Sequence, residues 1–411
     1  MLPIYSKLKA FRPHQLYPSK SSSLYITNTL KTFAESLIGI FIPIYIFRLT
    51  NLPEIAQSTI VNSIMWILIY YFLRSLIILS SINFVTNFVF GKINFKRSIF
   101  FSNIFLAVAL VFLSQAAIHP IFLIISSVPL AFSAILYWIP YHILFTRNSA
   151  SSSGHFGKNY GKRILFENAA AALGPLLGAT LITLYGFNML FVVGIFIMLC
   201  SSIPILLGVK EHPHGKHSAK HIFINTLKDK KYRYDTIAIS SEASDSILYS
   251  IFWPIMLFVV LKSFEKVGII TSISVALSSI SAIIVGTAID KGNSKIIHKI
   301  GVAVNTLLYL PRVFVTTAIP IYIIDVADRI NGTLYGIPMI SKMYEHAKSG
   351  HHDSDFIIYR DFIVHISICV VLVISMLIIN FLPRWEYVFI LIAIVSPFTY
   401  FINKHPSKKE Q

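Results

Sequence analysis

Charge is what this sequence has least of. Only 13% of its 411 residues are Asp, Glu, Lys or Arg, roughly half the 25% typical of soluble domains. That excludes a chain built from water-facing domains. Cysteine is scarce too: Cys200 and Cys369 both fall inside apolar runs, so no disulfide framework is available and both read as small buried residues. Gly-rich runs are absent, and neither a phosphate loop nor a dinucleotide fingerprint is found. Those absences argue against an ATP-driven pump. No Ser-His-Asp or zinc-protease spacing stands out, so the expectation is a protein that is not an enzyme and carries no cofactor.

What the chain has is hydrophobicity: 55% of residues, with a mean hydropathy of +0.70. Runs of about 20 apolar residues, the length that crosses a bilayer, fall near 24–47, 58–82, 98–115, 119–145, 165–185, 189–208, 235–261, 267–289, 297–316, 318–341, 357–382 and 386–403. The ninth and tenth are interrupted by Arg312, Asp325, Asp328 and Arg329. The first run is longer than a signal-peptide core and has no cleavage site after it, so it is expected to be retained. The fold expectation is an all-α polytopic membrane protein with twelve transmembrane helices.

The net charge of +17 is topological rather than a nucleic-acid signal. Of the 35 Lys and Arg, 27 lie in the N-terminus, 81–98, 146–163, 209–233, 287–299, 341–360 and the C-terminus. The opposite loops hold only Arg48, Lys262, Lys266 and Arg384. The positive-inside rule then puts both termini in the cytoplasm, here of a plasma (inner) membrane, with some attraction to anionic lipid. The expected organisation is a cytoplasmic segment 1–22, a six-helix bundle 23–208, a cytoplasmic linker 209–234 with a helix over Ala219 to Lys228, a second six-helix bundle 235–404 and a tail 405–411.

An internal repeat supports two halves. At a shift of 198 residues, Leu136-Tyr137-Trp138-Ile139-Pro140 falls on Leu334-Tyr335-Gly336-Ile337-Pro338. Each copy then reaches Gly-His, at Gly154-His155 and Gly350-His351, followed by a tyrosine and an arginine. At a shift of 211, Phe41-Ile42-Pro43-Ile44 falls on Phe252-Trp253-Pro254-Ile255. Both copies begin on the same side, which makes them parallel repeats related by a pseudo-twofold axis along the membrane normal.

The stretch Glu167–Tyr185 carries small residues in register. Ala170, Gly174 and Gly178 recur every fourth position, share one helix face and admit a neighbouring helix closely. Pro175 frees the carbonyl of Ala171, a break tolerated inside a membrane bundle. A smooth, bent face suits two helices that move against each other.

At these residues the chain resembles the major facilitator superfamily, whose members are two six-helix bundles around a central cavity. The resemblance covers residues 23–404. Gly174, Pro175 and Gly178 match the family's Gly-Pro-x-x-Gly-Gly in the fifth helix, with Ala179 at the last glycine and Ala170 at the upstream one. The family's cytoplasmic loop motif is partly kept after the eighth span, at Gly286, Asp290, Lys291 and Lys295, with Gly292 one residue early. The equivalent loop after the second span keeps Gly91 and its basic residues but lacks the aspartate. The resemblance implies gating roles for Gly91, Ala170, Gly174, Pro175, Gly178, Gly286, Asp290 and Lys291.

Ionisable groups inside spans point to solute or proton handling. Glu35 lies about 17 Å into the first span at 1.5 Å per residue, and Asp245 is comparably deep in the seventh. A charge at such depth costs about 2.5–3.5 kcal/mol on insertion scales, so each acid must face a cavity, find a partner or hold a proton. Arg74 is either the counter-ion on the N-terminal side or a residue snorkelling to the surface. His142 titrates in the useful range. Tyr137, Trp138 and Tyr335 are candidate cavity aromatics, and Asp325 with Arg329 reads as an i, i+4 structural pair. His212, His214, His217, His221 and His351-His352-Asp353 read as solvated loop residues and not as metal ligands.

The functional expectation is a secondary active transporter moving a small solute by alternating access, proton-coupled through Glu35 or Asp245, with export of amphipathic compounds as one form. It is expected to act as a monomer in the lipid bilayer with no nucleic-acid partner. A lipid facilitator or scramblase and a non-transporting receptor or assembly protein are the alternatives.

Overall fold

The computed structural model describes residues 20–50, 57–150, 165, 167–207, 219–349 and 353–404. The linker histidines 212, 214 and 217, the pair His351-His352 and the tail 405–411 lie outside the described residues. Helix α1 runs as Lys20–Gly39 and, past a break at Ile40, Phe41–Thr50. It is followed by α2 (Gln57–Lys92), α3 (Phe95–Gln115) and α4 (Ile121–Ala150). The segment Glu167–Leu207 holds two passes, α5 (167–185) and α6 (187–207). They meet at Gly186, whose φ of 81° is a conformation glycine adopts without the Cβ penalty of other residues. A short helix, Ala219–Lys228, lies where the sequence placed it. Then come α7 (Arg233–Leu261), α8 (Phe264–Ala288), α9 (Ser294–Arg312), α10 (Ala318–Ser349), α11 (Asp353–Phe381) and α12 (Trp385–Lys404).

Nine segments among the described residues are long and apolar enough to cross a membrane. One of them is the double pass α5–α6; α9 and α10 fall below the threshold, because they carry the charges that interrupt those runs in the sequence. The protein is an all-α, multi-pass membrane protein. Large apolar side chains such as Leu184, Phe196, Ile284, Phe314 and Phe381 remain exposed on the outside of the bundle, the surface that lipid tails would cover.

Within the first six helices, α1 packs on α5–α6, α2 on α4, and α3 on α4 and α6. Within the last six, α7 packs on α11 and α12, α8 on α10, and α9 on α10 and α12. Two broad seams join the sets: α2 against α11 and α5 against α8. The short helix Ala219–Lys228 rests across the first of these, with Phe223 4.8 Å from the ring of Phe362 on α11 and the Lys220 N–H donating to Asn83 Oδ1 on α2 at 3.1 Å.

The second seam follows from the small residues of α5. A Cβ on Gly178 would stand 2.3 Å from the carbonyl oxygen of Leu37, and one on Gly174 would stand 2.8 Å from the Leu37 nitrogen, so this face abuts the backbone of α1. The neighbouring face meets α8, where Gly268 is so close that a Cβ would lie 2.6 Å from the Pro175 carbonyl oxygen. Pro175 interrupts the helix at Ala172 and Leu173. The ladder resumes at Leu177, whose N–H donates to the Leu173 carbonyl at 3.0 Å. The Leu176 N–H left over in between is taken by Ser272 Oγ of α8 at 3.0 Å. A backbone donor released by proline thus becomes a tie between the two sets of helices.

Candidate functional site

Two adjoining cavities lie along α7. The first, of about 310 Å³, is walled by α7, α8, α9 and α10, with Asn168 contributed by α5. The second, of about 380 Å³, lies between α2 and α4 on one side and α7, α10 and α11 on the other. They share Glu242, Ser246 and Ile340. Glu242, Asp245, Ser246 and Tyr249 are spaced as one face of a helix, which is why α7 presents a polar stripe along the first cavity.

Asp245 is held by a dense set of donors. Asn305 Nδ2 donates to its Oδ2 at 2.7 Å and to Ser396 Oγ at 2.8 Å, and the Tyr309 hydroxyl donates to Oδ1 in a short contact. Deeper in the same set, Arg312 is fully buried. Its guanidinium bonds Asp328 Oδ1 at 2.6 Å and lies 4.3 Å from the ring centres of both Trp253 and Tyr309. Aromatic faces and a carboxylate together replace the water this cation would otherwise need. The acid Asp325 accepts from Trp253 Nε1 at 2.6 Å. The expected Asp325–Arg329 pair is therefore corrected: the ion pair is Arg312–Asp328, because the indole of α7 and the arginine of α9 reach the acids of α10 first.

The second cavity gathers basic side chains. Arg74 of α2, Arg360 and His365 of α11 and His142 of α4 line it with the acids Glu242 and Asp361. Arg360 bonds Asp361 at 3.3 Å and its Nη1 is 3.4 Å from His142 Nε2. His142 Nδ1 is 2.6 Å from the Tyr344 hydroxyl of α10, and Phe145 lies 4.7 Å from the Tyr344 ring. These contacts join α4, α10 and α11. Where α1, α6 and α8 meet, Phe187, Phe41 and Phe264 cluster, at 5.5 and 6.4 Å between ring centres, and Arg48 lies 5.3 Å from the centre of the Phe264 ring.

No protein-family model and no curated protein sequence matches the chain. Solved structures do match over nearly its whole length. The outward conformation of FucP aligns with a TM-score of 0.66 at 11% identity, covering 94% of this chain and 98% of that one. A variant of the E. coli fucose:proton symporter FucP gives 0.64 at 11% identity, with 94% and 98% covered. The nucleoside transporter NupG gives 0.64 at 11% identity, with 95% and 100% covered. The chain has the major facilitator fold.

Within this major facilitator fold the residues singled out in the sequence separate into groups. Asp245 and Tyr335 line the first cavity; Arg74, His142 and Trp138 line the second. Tyr137 lines neither: its hydroxyl donates to Asn28 Oδ1 at 2.5 Å, and Asn28 in turn bonds Glu167, tying α1, α4 and α5. Glu35 also lines neither. It pairs with Lys31 one turn earlier at 3.0 Å and keeps 40% of its side chain exposed. Arg74 and Glu35 are not brought together. Gly91 ends α2 and is exposed, Gly286 is buried near the end of α8, and Asp290 and Lys291 sit in a π-helical turn, Ile289–Asn293, before α9. His221, the one linker histidine described, contacts Asn225 at 2.9 Å, and no group of three or more His, Cys, Asp or Glu among the described residues is placed to hold a metal. Cys200 and Cys369 are free and half-buried.

Sequence reasoning missed Glu242, Arg360, Asp361 and His365. Glu242 was visible as the acid three residues before Asp245, on the same face of α7. Arg360 was counted with the loop charges, although the apolar run from 357 already enclosed it.

Proposed function

We propose that this protein is a secondary transporter that carries a small solute between the two sides of the membrane by alternating access. The observation that carries the reading is the pair of adjoining cavities along α7, walled by ionisable side chains from both sets of six helices. A receptor or assembly protein has no use for a polar cavity between the two sets of helices; a carrier needs one. FucP and NupG, which share the fold, are a fucose:proton symporter and a nucleoside transporter.

The units that move are the bundles 23–208 and 235–404, joined by the linker 209–234. Matched packing supports a pseudo-twofold relation between them: α2–α4 corresponds to α8–α10, α3–α4 to α9–α10, and the α2–α11 seam to the α8–α5 seam. The bent helix around Pro175 moves against two neighbours, its Ala170, Gly174 and Gly178 face against α1 and its Pro175 and Ala179 face against Gly268 of α8, and the loops around Gly91 and Gly286, Asp290 and Lys291 control one mouth. Both termini face the cytoplasm, from the bias of Lys and Arg. Proton coupling runs through Asp245, which lines a cavity, rather than Glu35, which is paired with Lys31.

Reconstitution in proteoliposomes tests this. Under an imposed pH gradient, at least one member of a panel of sugars, nucleosides and organic acids should accumulate, and the same solute should show counterflow without the gradient. Asp245→Asn should abolish the gradient-driven part and spare counterflow. Absence of both activities across the panel would refute the carrier reading, and equal pH-driven flux in Asp245→Asn would refute coupling at that acid.

A further inference from the structure

The second cavity contains two arginines from opposite sets of helices, and they are not equivalent. Arg360 is paired with Asp361. Arg74 has no hydrogen bond or ion pair among the described residues, and the buried Nε atoms of both arginines are without acceptors there. A guanidinium inside a membrane protein without a counter-ion is costly, and such a charge marks a substrate or ion pathway. The one acid on the same wall without a described partner is Glu242. Besides the polar groups His142, His365, Ser246 and Ser250, the wall carries an apolar part: Ala134, Trp138, Ala243, Ile247, Val364 and Ile368.

Resting on the carrier reading above, we propose that this cavity binds a small organic monocarboxylate, its charge held between the guanidinium groups of Arg74 and Arg360 and its apolar body against Trp138, Ile247 and Ile368. Planar guanidinium groups match the geometry of a carboxylate. The charges select one negative charge rather than two. Arg360 and Asp361 cancel, which leaves Arg74 opposed only by Glu242. With Glu242 ionised the wall is neutral and repels no cation; with Glu242 protonated it is positive by one and accepts one anion. A monocarboxylate therefore binds most tightly with Glu242 uncharged, a binding preference separate from the coupling proton assigned to Asp245. The charged and titratable groups lining the two cavities with Glu242 are Arg74 from α2, His142 from α4, Asp245 and Tyr249 from α7, Tyr309 from α9, Asp328, Arg329 and Tyr335 from α10, and Arg360, Asp361 and His365 from α11.

The experiment is calorimetric titration of the purified full chain in detergent with benzoate and lactate, with their uncharged amides benzamide and lactamide, and with inorganic phosphate. One of the acids should bind, its amide should bind at least about tenfold more weakly, and phosphate should not compete, since each lost charge-assisted hydrogen bond is worth about tenfold or more. Arg74→Gln should weaken the acid by about ten- to a hundredfold with an unchanged melting temperature, and Arg74→Lys by less. Affinity should fall as pH is raised in the natural protein and stay level in Glu242→Gln. An amide that binds as tightly as its acid, a preference for phosphate, or no binding of either acid would overturn the proposal. Counterflow of a neutral solute with no acid binding would sink the anion site and leave the carrier standing. Acid binding without acid counterflow would do the reverse.

Discussion

Gly268 is where the contact between α5 and α8 can be perturbed by a single methyl group. A Cβ built there would stand 2.6 Å from both the Pro175 carbonyl oxygen and the Ala179 Cβ, and 3.2 Å from the Pro175 carbonyl carbon. Ordinary contact begins at 3.4 Å, so the first two approaches are 0.8 Å too short. Neither obstacle can rotate away: one is backbone next to a proline, the other a Cβ. Gly268→Ala must therefore push α5 and α8 apart, at the overpacking cost of about 1–3 kcal/mol, against a gain of up to about 1 kcal/mol in helix propensity. The tie from the Leu176 N–H to Ser272 Oγ, one turn along at 3.0 Å, would stretch beyond bonding distance with the same movement. The natural control is Gly332→Ala on α10, where nothing lies within 4 Å of the added Cβ and only the propensity gain applies. Melting followed in detergent should show Gly268→Ala lowered by a few degrees and Gly332→Ala level or raised. Under the carrier reading, Gly268→Ala should also favour the state in which this seam is open, seen as faster labelling of a cysteine placed on α8 facing α5. If Gly268→Ala melts with Gly332→Ala and labels like the parent, the close approach of α5 and α8 is wrong.

Ser272→Ala removes the acceptor of the Leu176 N–H and should cost about 1–3 kcal/mol, read as a lower melting temperature without loss of expression. Arg312→Leu leaves Asp328 buried without its cation, a loss of about 3–5 kcal/mol, so monodisperse protein in size-exclusion chromatography should nearly vanish; Arg312→Leu with Asp328→Leu should restore most of it, and failure of the pair would mean that Arg312 has a role beyond holding Asp328. Trp253→Phe keeps the ring over Arg312 but strips Asp325 of its indole donor, at about 1–3 kcal/mol, measured in the same melting assay against Trp253→Leu, which should be worse.

Much of the fold was legible because the length of apolar chain that crosses a bilayer is a property of the chain itself. The twelve runs fall on twelve helices, although only nine segments among the described residues are long and apolar enough to cross a membrane, and the proline-and-glycine face of α5 does abut its neighbours as its spacing requires. The linker helix Ala219–Lys228 was readable from its polar composition and falls on the expected residues. Partner choice was not legible. Asp325 with Arg329 is the natural pair along one helix, but α9 and α7 deliver Arg312 and Trp253 to α10 at distances no sequence spacing encodes. Glu35 was read from its depth as a residue that must face a cavity, find a partner or hold a proton, and of these the structure shows the partner, Lys31 one turn earlier. The second cavity was hidden most fully, since its walls come from five helices and Arg360 was masked by a loop boundary drawn a turn too late.

The placement of charge explains why α9 and α10 read as the poorest membrane spans. Moving one ion into a low-dielectric interior costs several kcal/mol even after relaxation, and the last six helices bury Arg312, Asp325 and Asp328 together. That concentration is tolerable only because each group meets a specific partner: Asp328 and two aromatic faces for Arg312, the indole N–H for Asp325. Asp245 belongs to the same cluster and, like Asp328, lines the first cavity, while Asn305 and Tyr309 donate to it. A cluster serving stability alone would be cheaper as packed apolar side chains. Arg312, its fully buried member, ties α9 to α10 through Asp328 and so fixes the framework that holds Asn305 and Tyr309 against Asp245. Asp245→Asn should accordingly leave folding stability within about 2 kcal/mol of the parent while changing pH-driven flux, whereas damage to Arg312 should remove both at once.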